Sequence, residues 1–285
     1  MLHWTREPAR SLAHLVRCFH VFEDGHAPAT REVHLYPGHT LSLAFLDGAC
    51  WFAPDPSGAA GRLVPVSAVF VDHPTTRPVR LVALGRTRIV GVNFYVWGAI
   101  RLFGRLPVND GLVDALVPAR FATRIARLLA QGELDDAIDV LEQFVAERAR
   151  AVELAPSPAI EVATRLCDTR GHGSILGLAE RASVSLRQLE RQFRTQVGMS
   201  PKTLARVIRF EHARRRIEAA PDTSLTELAH DLGFADQAHF SREFRALAWI
   251  NPRAFQAAVR GQRDLRGAAA SVPANPSAAP QRRSR

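Results

Sequence analysis

The 285-residue chain is poor in cysteine. Its three cysteines, Cys18, Cys50 and Cys167, are scattered and form no CxxC pair, which excludes an even disulfide framework. Reduced thiols in a cytoplasmic protein, packed as small hydrophobes, are the expectation. Long apolar runs are also missing. No stretch approaches 18 uncharged apolar residues, so neither a transmembrane helix nor a membrane partner is expected. The opening MLHWTREPARSLAHLVRCFH has no basic segment followed by an apolar one, so no secretory signal is expected. The chain also lacks a P-loop, GxGxxG, GxSxG or Ser/His/Asp signature. Seven histidines precede residue 80, including His34, His39 and His73, but no HxH or HxxxE pattern joins them. A metal site, a cofactor and catalysis are therefore not expected, and Cys18 and Cys50 lack the context of a nucleophile.

Acidic residues run short only in the second half. Residues 1–156 hold 16 Lys+Arg against 16 Asp+Glu, residues 157–260 hold 16 against 11, and the rest holds 5 against 1. The whole net charge of +9 is therefore C-terminal. A basic region beside a neutral one points to a polyanion as partner, most often nucleic acid.

Residues 32–95 read as short strands. In TLSLAFLDGACWF, Leu41, Leu43 and Phe45 share a face and Asp47-Gly48 predicts a hairpin turn; Gly85-Arg86 breaks RLVALGRTRIVGVNFY in the same way. PDPSGAAG and DHPTTRP read as loops. An antiparallel barrel or sandwich is expected, lined by Leu41, Leu43, Phe45, Trp51, Phe52, Val90, Val92 and Phe94, as a filled core or a small-molecule pocket. Helical spacing follows: a short piece closed by Gly104 and Pro107, then 119–131 and 133–151, with Ile138, Leu141, Phe144 and Val145 on one stripe. ELAPSP is the expected linker. Helices then run to about Gly261, before an Ala/Pro/Ser-rich tail with terminal arginines that is expected to be disordered.

The second half repeats itself. SILGLAERASVSLRQLERQFRTQVGMSPKTL (174–204) aligns with SLTELAHDLGFADQAHFSREFRALAWINPRAF (224–255). Ala179 matches Ala229; after one extra residue at the turn, Leu189 matches Phe240, Phe193 matches Phe244 and Pro201 matches Pro252. Each copy reads as helix, tight turn, helix. Gly233 suits the left-handed end of a helix. Ser185 with Gln188 and Ser224 with Glu227 read as capping boxes, and Asp236 as a cap. Ser200-Pro201 and Asn251-Pro252 read as cap-then-Pro helix starts. In copy one Leu186, Leu189 and Phe193 should face inward, leaving Arg187, Glu190, Arg191 and Arg194 exposed. In copy two Phe240, Phe244 and Leu247 should face inward. That leaves Ala238, Ser241, Arg242 and Arg245 outward, with Gln237 and His239 at the helix start. Such helices fit the DNA major groove, where Arg or Gln reaches base edges.

PKTLARVIRFEHARRRIEAA joins the copies as a helix of about 19 residues, spanning roughly 28 Å at 1.5 Å per residue. That is close to the ~34 Å between major-groove faces on one side of B-DNA, so two adjacent grooves are the expected target.

These motifs, LAERASVSLRQLERQFRTQVGMSP, RFEHARRRI and LAHDLGFADQAHFSREFR, give residues 157–258 a resemblance to the DNA-binding domain of the AraC/XylS family of bacterial transcriptional regulators. The resemblance implies base contacts from Arg187, Glu190 and Arg191 in copy one, and from Gln237, Ala238, His239 and Arg242 in copy two. It departs at Ala248-Trp249-Ile250-Asn251-Pro252, where the family has Phe-Gly-x-Ser-Pro, so the last helix should start at a different angle. GRTRIVGVNFYVWGAIRLFG is similar to the sensor half of some members, which implies a cupin-like barrel.

The resulting expectation is an α+β chain. Residues 1–152 form a β-rich sensor or dimerisation domain with trailing helices. Residues 157–260 form an all-α domain of two helix-turn-helix motifs joined by a long helix, and 261–285 form a disordered basic tail. The function expected is sequence-specific transcriptional regulation, as an activator, on double-stranded promoter DNA. RNA polymerase, a small-molecule effector and a second copy of the chain are the expected partners. The alternative is an enzyme with an N-terminal catalytic domain that the DNA-binding half targets or autoregulates.

Overall fold

The computed structural model describes residues 2–25, 30–53, 63–72, 78–104, 117–152 and 155–270. PDPSGAAG, residues 73–77 with His73, Pro107, Glu153-Leu154 of the expected linker and residues 271–285 of the tail lie outside these. Among the described residues two compact units form: those within Met1–Glu211 with Leu247–Trp249, and His212–Ala246 with residues 250–270.

The first unit opens with strands β1 (Leu2–Arg6), β2 (Val16–Asp24), β3 (Thr30–Leu35), β4 (Thr40–Ala53), β5 (Val64–Pro65), β6 (Val69–Asp72) and β7 (Val79–Tyr95). They form one antiparallel sheet in the order β1-β2-β7-β4-β5, with β3 also on β7 and β6 also on β4. The hairpin expected at Asp47-Gly48 is absent. β4 runs through it as a single strand paired to β7, with a register shift between Asp47 and Ala49. Gly48 (φ 128°) and Gly85 (φ 69°) bend the paired strands instead, because left-handed backbone is open to glycine. A side chain at Gly48 would place Cβ 2.6 Å from the Arg86 carbonyl oxygen. The bend lets β7 pair with β3 through Val79–Leu84 and with β2 through Thr87–Phe94.

Alternation sorts the strand side chains into two clusters. Phe19, Val21, Leu41, Leu43, Phe45, Val90, Val92 and Phe94 lie in a core that also holds Ile125, Leu129, Ile138, Leu141 and Val145. These last five come from helices α2 (Ala119–Gln131) and α3 (Leu134–Arg150), close to the expected ranges. Six of the expected pocket-lining residues are therefore filled core beneath two helices. The opposite face gathers Ala44, Leu46, Cys50, Leu81, Ala83 and Ile89, with Phe22, Phe52 and Phe70 packed against them. Of the two readings the sequence left open for these six, the filled core is the one the structure shows.

Helix α1 (Val96–Phe103) leaves β7 directly and ends at Gly104 (φ 79°). Gly98 lies so near the loop before β2 that a Cβ there would sit 2.0 Å from the Leu15 carbonyl oxygen. After the linker come α4 (Pro158–Asp168), α5 (Ile175–Arg181), α6 (Leu186–Gln196) and α7 (Pro201–Ala219). The remaining helices are α8 (Leu225–Asp231), α9 (Gln237–Ala248) and α10 (Pro252–Ala270). The last continues through residues 261–270, ten positions into the stretch expected to be disordered. Its run of Gln, Arg, Leu and Ala favours helix, a preference the compositional reading passed over. Among the described residues no helix is long and apolar enough to cross a membrane.

Candidate nucleic-acid interface

Both repeats fold with the predicted caps, although at Ser224 only the serine half of the expected box forms, its hydroxyl accepting from the Glu227 amide. In copy one the Ser185 hydroxyl accepts from the Gln188 amide while the Gln188 side chain accepts from the Ser185 amide, a closed capping box at the start of α6. In copy two Asp236 Oδ1 accepts from the His239 amide at 2.6 Å. The turns before these caps match bond for bond. The Ser183 amide donates to Glu180 O and the Val184 amide to Ala179 O; fifty positions on, the Gly233 amide donates to His230 O and the Phe234 amide to Ala229 O. Caps also stand at Ser174, Ser224, Ser200 and Asn251, each accepting from an amide three residues on.

Each second helix buries one stripe and exposes the other. In α6, Leu189 and Phe193 are fully buried against Ala159, Val162, Leu166, Leu178, Ala179, Leu204 and Ile208. Leu186 was expected inward but is 40% exposed. As the first residue of the helix it stands before the turn that enters the core. In α9, Phe240, Phe244 and Leu247 are buried. Phe234, Phe240, Phe244 and Phe255 form a ladder with neighbouring ring centroids 5.3–5.7 Å apart.

The opposite faces carry the expected reading residues. Arg187, Glu190, Arg191 and Arg194 are all exposed and, with Ser185 and Gln188, line one open concave surface. On α9, Gln237, Ala238, Arg242 and Arg245 are exposed, and His239 and Ser241 are partly so. Two α9 residues have local partners that sequence reasoning missed. Thr226 Oγ1 donates to Gln237 Oε1 at 2.8 Å, and the His239 ring sits edge-on to Phe234 at 5.5 Å. Each helix thus presents a row of cations and amides on a rigid, capped cylinder, which suits major-groove edges and flanking phosphates.

Trp249 takes φ 62°, the left-handed conformation that Gly198 takes at the equivalent position (φ 77°). The departure from the usual glycine therefore keeps a left-handed φ and places a bulky side chain on a strained residue. Trp249 and Ile250 are 41% and 37% exposed.

Sequence reasoning also missed Trp97 of α1, which is buried in the core of the first motif. Of the histidines tested for metal, His39 is engaged with Glu211, its Nδ1 2.6 Å from the carboxylate. Among the described residues no group of three His, Cys, Asp or Glu is placed to hold a metal ion. Burial pushes the thiols up, Cys50 to about 11 and Cys167 to about 12, which keeps both as poor nucleophiles.

The two capped repeats, each with a basic outer face, are helix-turn-helix motifs. A profile described as "Helix-turn-helix domain" matches residues 178–258, and this region is similar to helix-turn-helix domains of the AraC/XylS type. The chain is 44% identical over 69 residues to the HTH-type transcriptional activator RhaS of Pectobacterium atrosepticum, covering 24% of each chain. It is 31% identical over 158 residues to the HTH-type transcriptional regulator GlxA of Rhizobium meliloti, covering 54% of this chain and 48% of that one. The chain thus spans a quarter to a half of the length of these relatives. Among solved structures, ToxT from Vibrio cholerae O395 superposes with a TM-score of 0.46 at 12% identity, over 85% of this chain and 98% of that one. The DNA-binding domain of AdpA in complex with a target DNA superposes with a TM-score of 0.35 at 28% identity, over 38% and 98%.

Proposed function

We propose that this chain is a sequence-specific transcriptional regulator that binds double-stranded promoter DNA. α6 would read one stretch of major groove through Arg187, Glu190, Arg191 and Arg194, and α9 another through Gln237, Ala238, His239, Arg242 and Arg245. The observation that carries this reading is the duplicated motif, with turns hydrogen-bonded alike and arginines exposed at matching places, 191 with 242 and 194 with 245. A solvated basic helix has no need of two copies built to one plan. Arginine pairs with guanine O6/N7, glutamine with adenine, and Glu190 accepts from cytosine N4 while repelling phosphate, so it narrows choice more than it adds affinity.

The working division is a sensor or dimerisation region over 1–152, a reading region over 157–260 and a basic tail over 261–285. The sheet region would receive a small molecule or a second copy, and RNA polymerase would be the partner at the promoter. The site of action is the cytoplasm, where the DNA lies. The catalytic alternative is set aside because the reduced thiols are pushed toward their unreactive form and the relatives' names are those of regulators.

Selection of duplexes from a random pool by the full chain, followed by protection mapping, tests the proposal. The expected footprint covers two successive major-groove faces on one side of the duplex. Protection of a single half-turn, or no enrichment of any sequence, refutes it.

A further inference from the structure

Glu211 occupies a place where helix periodicity calls for an apolar side chain. With Leu204 and Ile208 it falls at i, i+4 and i+7 of α7, and those two are fully buried in the core of the first motif. Its carboxylate is buried too, with a side-chain exposure of 7%. Two groups from the sheet region grip it. Arg17 on β2 brings Nη1 to 2.5 Å from Oε1, and His39, just before β4, brings Nδ1 to 2.6 Å from Oε2. Burial alone would raise the Glu211 pKa, but the His39 hydrogen bond and charge and the Arg17 charge outweigh it and hold the carboxyl at about 2. The carboxylate is therefore charged at any pH a cell meets.

The contact is wider than this trio. Tyr36 packs near Phe210, with centroids 6.5 Å apart, and Tyr95 stacks on both Trp97 (4.7 Å) and His39 (5.9 Å). The His39 carbonyl accepts from the Val96 amide at the start of α1. A Cβ on Gly198, just after α6, would meet Val96 Cγ1 at 3.4 Å and Ile100 Cδ1 at 3.7 Å. β2, the segment before β4 and α1 thus converge on the first motif, while its reading residues stay exposed.

An apolar trio of similar volume would hold such a contact at least as firmly, since a buried ion pair loses most of its attraction to desolvation. What charge adds is one fixed registry, together with easier parting, because all three groups regain water when separated. We infer that Glu211, gripped by Arg17 and His39, is a latch that docks the first reading motif on the sheet region in a single orientation, so that the state of the sheet region sets DNA affinity. The inference rests on the DNA-binding reading above and names how that reading is regulated. The docked state leaves the α6 face open and is the binding-ready one. Unlatching adds orientational freedom that DNA binding must then remove.

The test uses the full chain, Glu211→Gln, Arg17→Met and Arg17→Lys, with amide hydrogen exchange and binding to a duplex selected by the unaltered protein. Glu211→Gln and Arg17→Met are expected to speed exchange at residues 16–20 and 204–211, leave Leu41–Phe45 and Val90–Phe94 protected, and weaken duplex binding about three- to tenfold. Arg17→Lys, which keeps the charge, is expected to stay within twofold. Unchanged affinity despite faster exchange makes the trio mere packing and overturns the latch. So does tighter binding, or loss of protection throughout the sheet in both variants. If the unaltered protein selects no duplex, the DNA reading fails, while unchanged exchange at the two faces would still refute the docking contact on its own.

Discussion

Ser183 and Gly233 stand fifty positions apart at the same turn, and both hold left-handed backbone, φ 56° and 67°. Only one of them is glycine. The left-handed conformation costs a side-chain-bearing residue about 1–2 kcal/mol, so the first motif carries a strain that the second avoids. Ser183→Gly should raise stability by up to about 1 kcal/mol, and Gly233→Val should lower it by about 1–2 kcal/mol. Thermal unfolding of the two variants checks this. Shifts of opposite sign would show that the two turns are one device; a destabilised Ser183→Gly would show that the serine side chain matters more than its backbone.

Arg191 and Arg242 occupy matching places on the exposed faces of α6 and α9. Each replacement by alanine should cost about 1–3 kcal/mol on a selected duplex and relax base choice at one position. The two positions should lie about one helical turn apart. Competition binding at fixed salt against single-base variants of the duplex provides the readout. A uniform loss across all sequences would demote the arginine concerned to a phosphate contact, and no loss from either would remove both helices from the groove.

The second half was legible because its signals are local. Caps three residues from their amides and alternating stripes on short helices depend on neighbours within one or two turns, and the repeat offset of fifty is seen by aligning the chain with itself. The sheet region was legible only as strands. Asp47-Gly48 is a good hairpin signal by itself, and nothing nearby says that Gly85 will sit across from it and turn both into a bend. Which apolar face of β4 is covered depends on α2 and α3, more than sixty residues later. Glu211 is an intermediate case. A charge inside an apolar stripe was visible in the sequence, but its partners Arg17 and His39 lie over 170 positions away. Trp97 likewise joins a core whose other members begin at Ala159.

Gly98 tests how closely α1 must approach the loop before β2. An added Cβ would sit 2.0 Å from the Leu15 carbonyl oxygen, and backbone on both sides leaves no flexible side chain to yield. Gly98→Ala should therefore destabilise by about 1–3 kcal/mol as an overpacking change, despite the helix propensity of alanine. Because α1 also carries Trp97 into the first motif, the same variant should shift tryptophan emission toward longer wavelength. A stabilised Gly98→Ala with unchanged emission would mean that α1 stands further from Leu15 than described.

His20 makes the acid response of the sheet region testable. Burial, with a smaller push from His3, lowers its pKa from 6.5 to about 4. Between those values the unfolded chain takes up a proton at this site and the folded chain does not. Stability from His20 is thus complete above pH 6.5, declines as pH falls toward 4, and changes no further below it. The span of the shift sets an upper bound of about 3 kcal/mol. Glu211 acts in a lower window: its depressed pKa stabilises the fold above about 4.5, and that stability is lost as pH falls toward 2. His20→Phe keeps a ring in place and removes the titration, so its unfolding free energy should be flatter than that of the unaltered chain between pH 6.5 and 4, while the loss below 4.5 persists. Denaturant melts at half-unit pH intervals read the difference directly. Parallel profiles for the two proteins across that range would mean that the folded protein admits a proton at His20 as readily as water does.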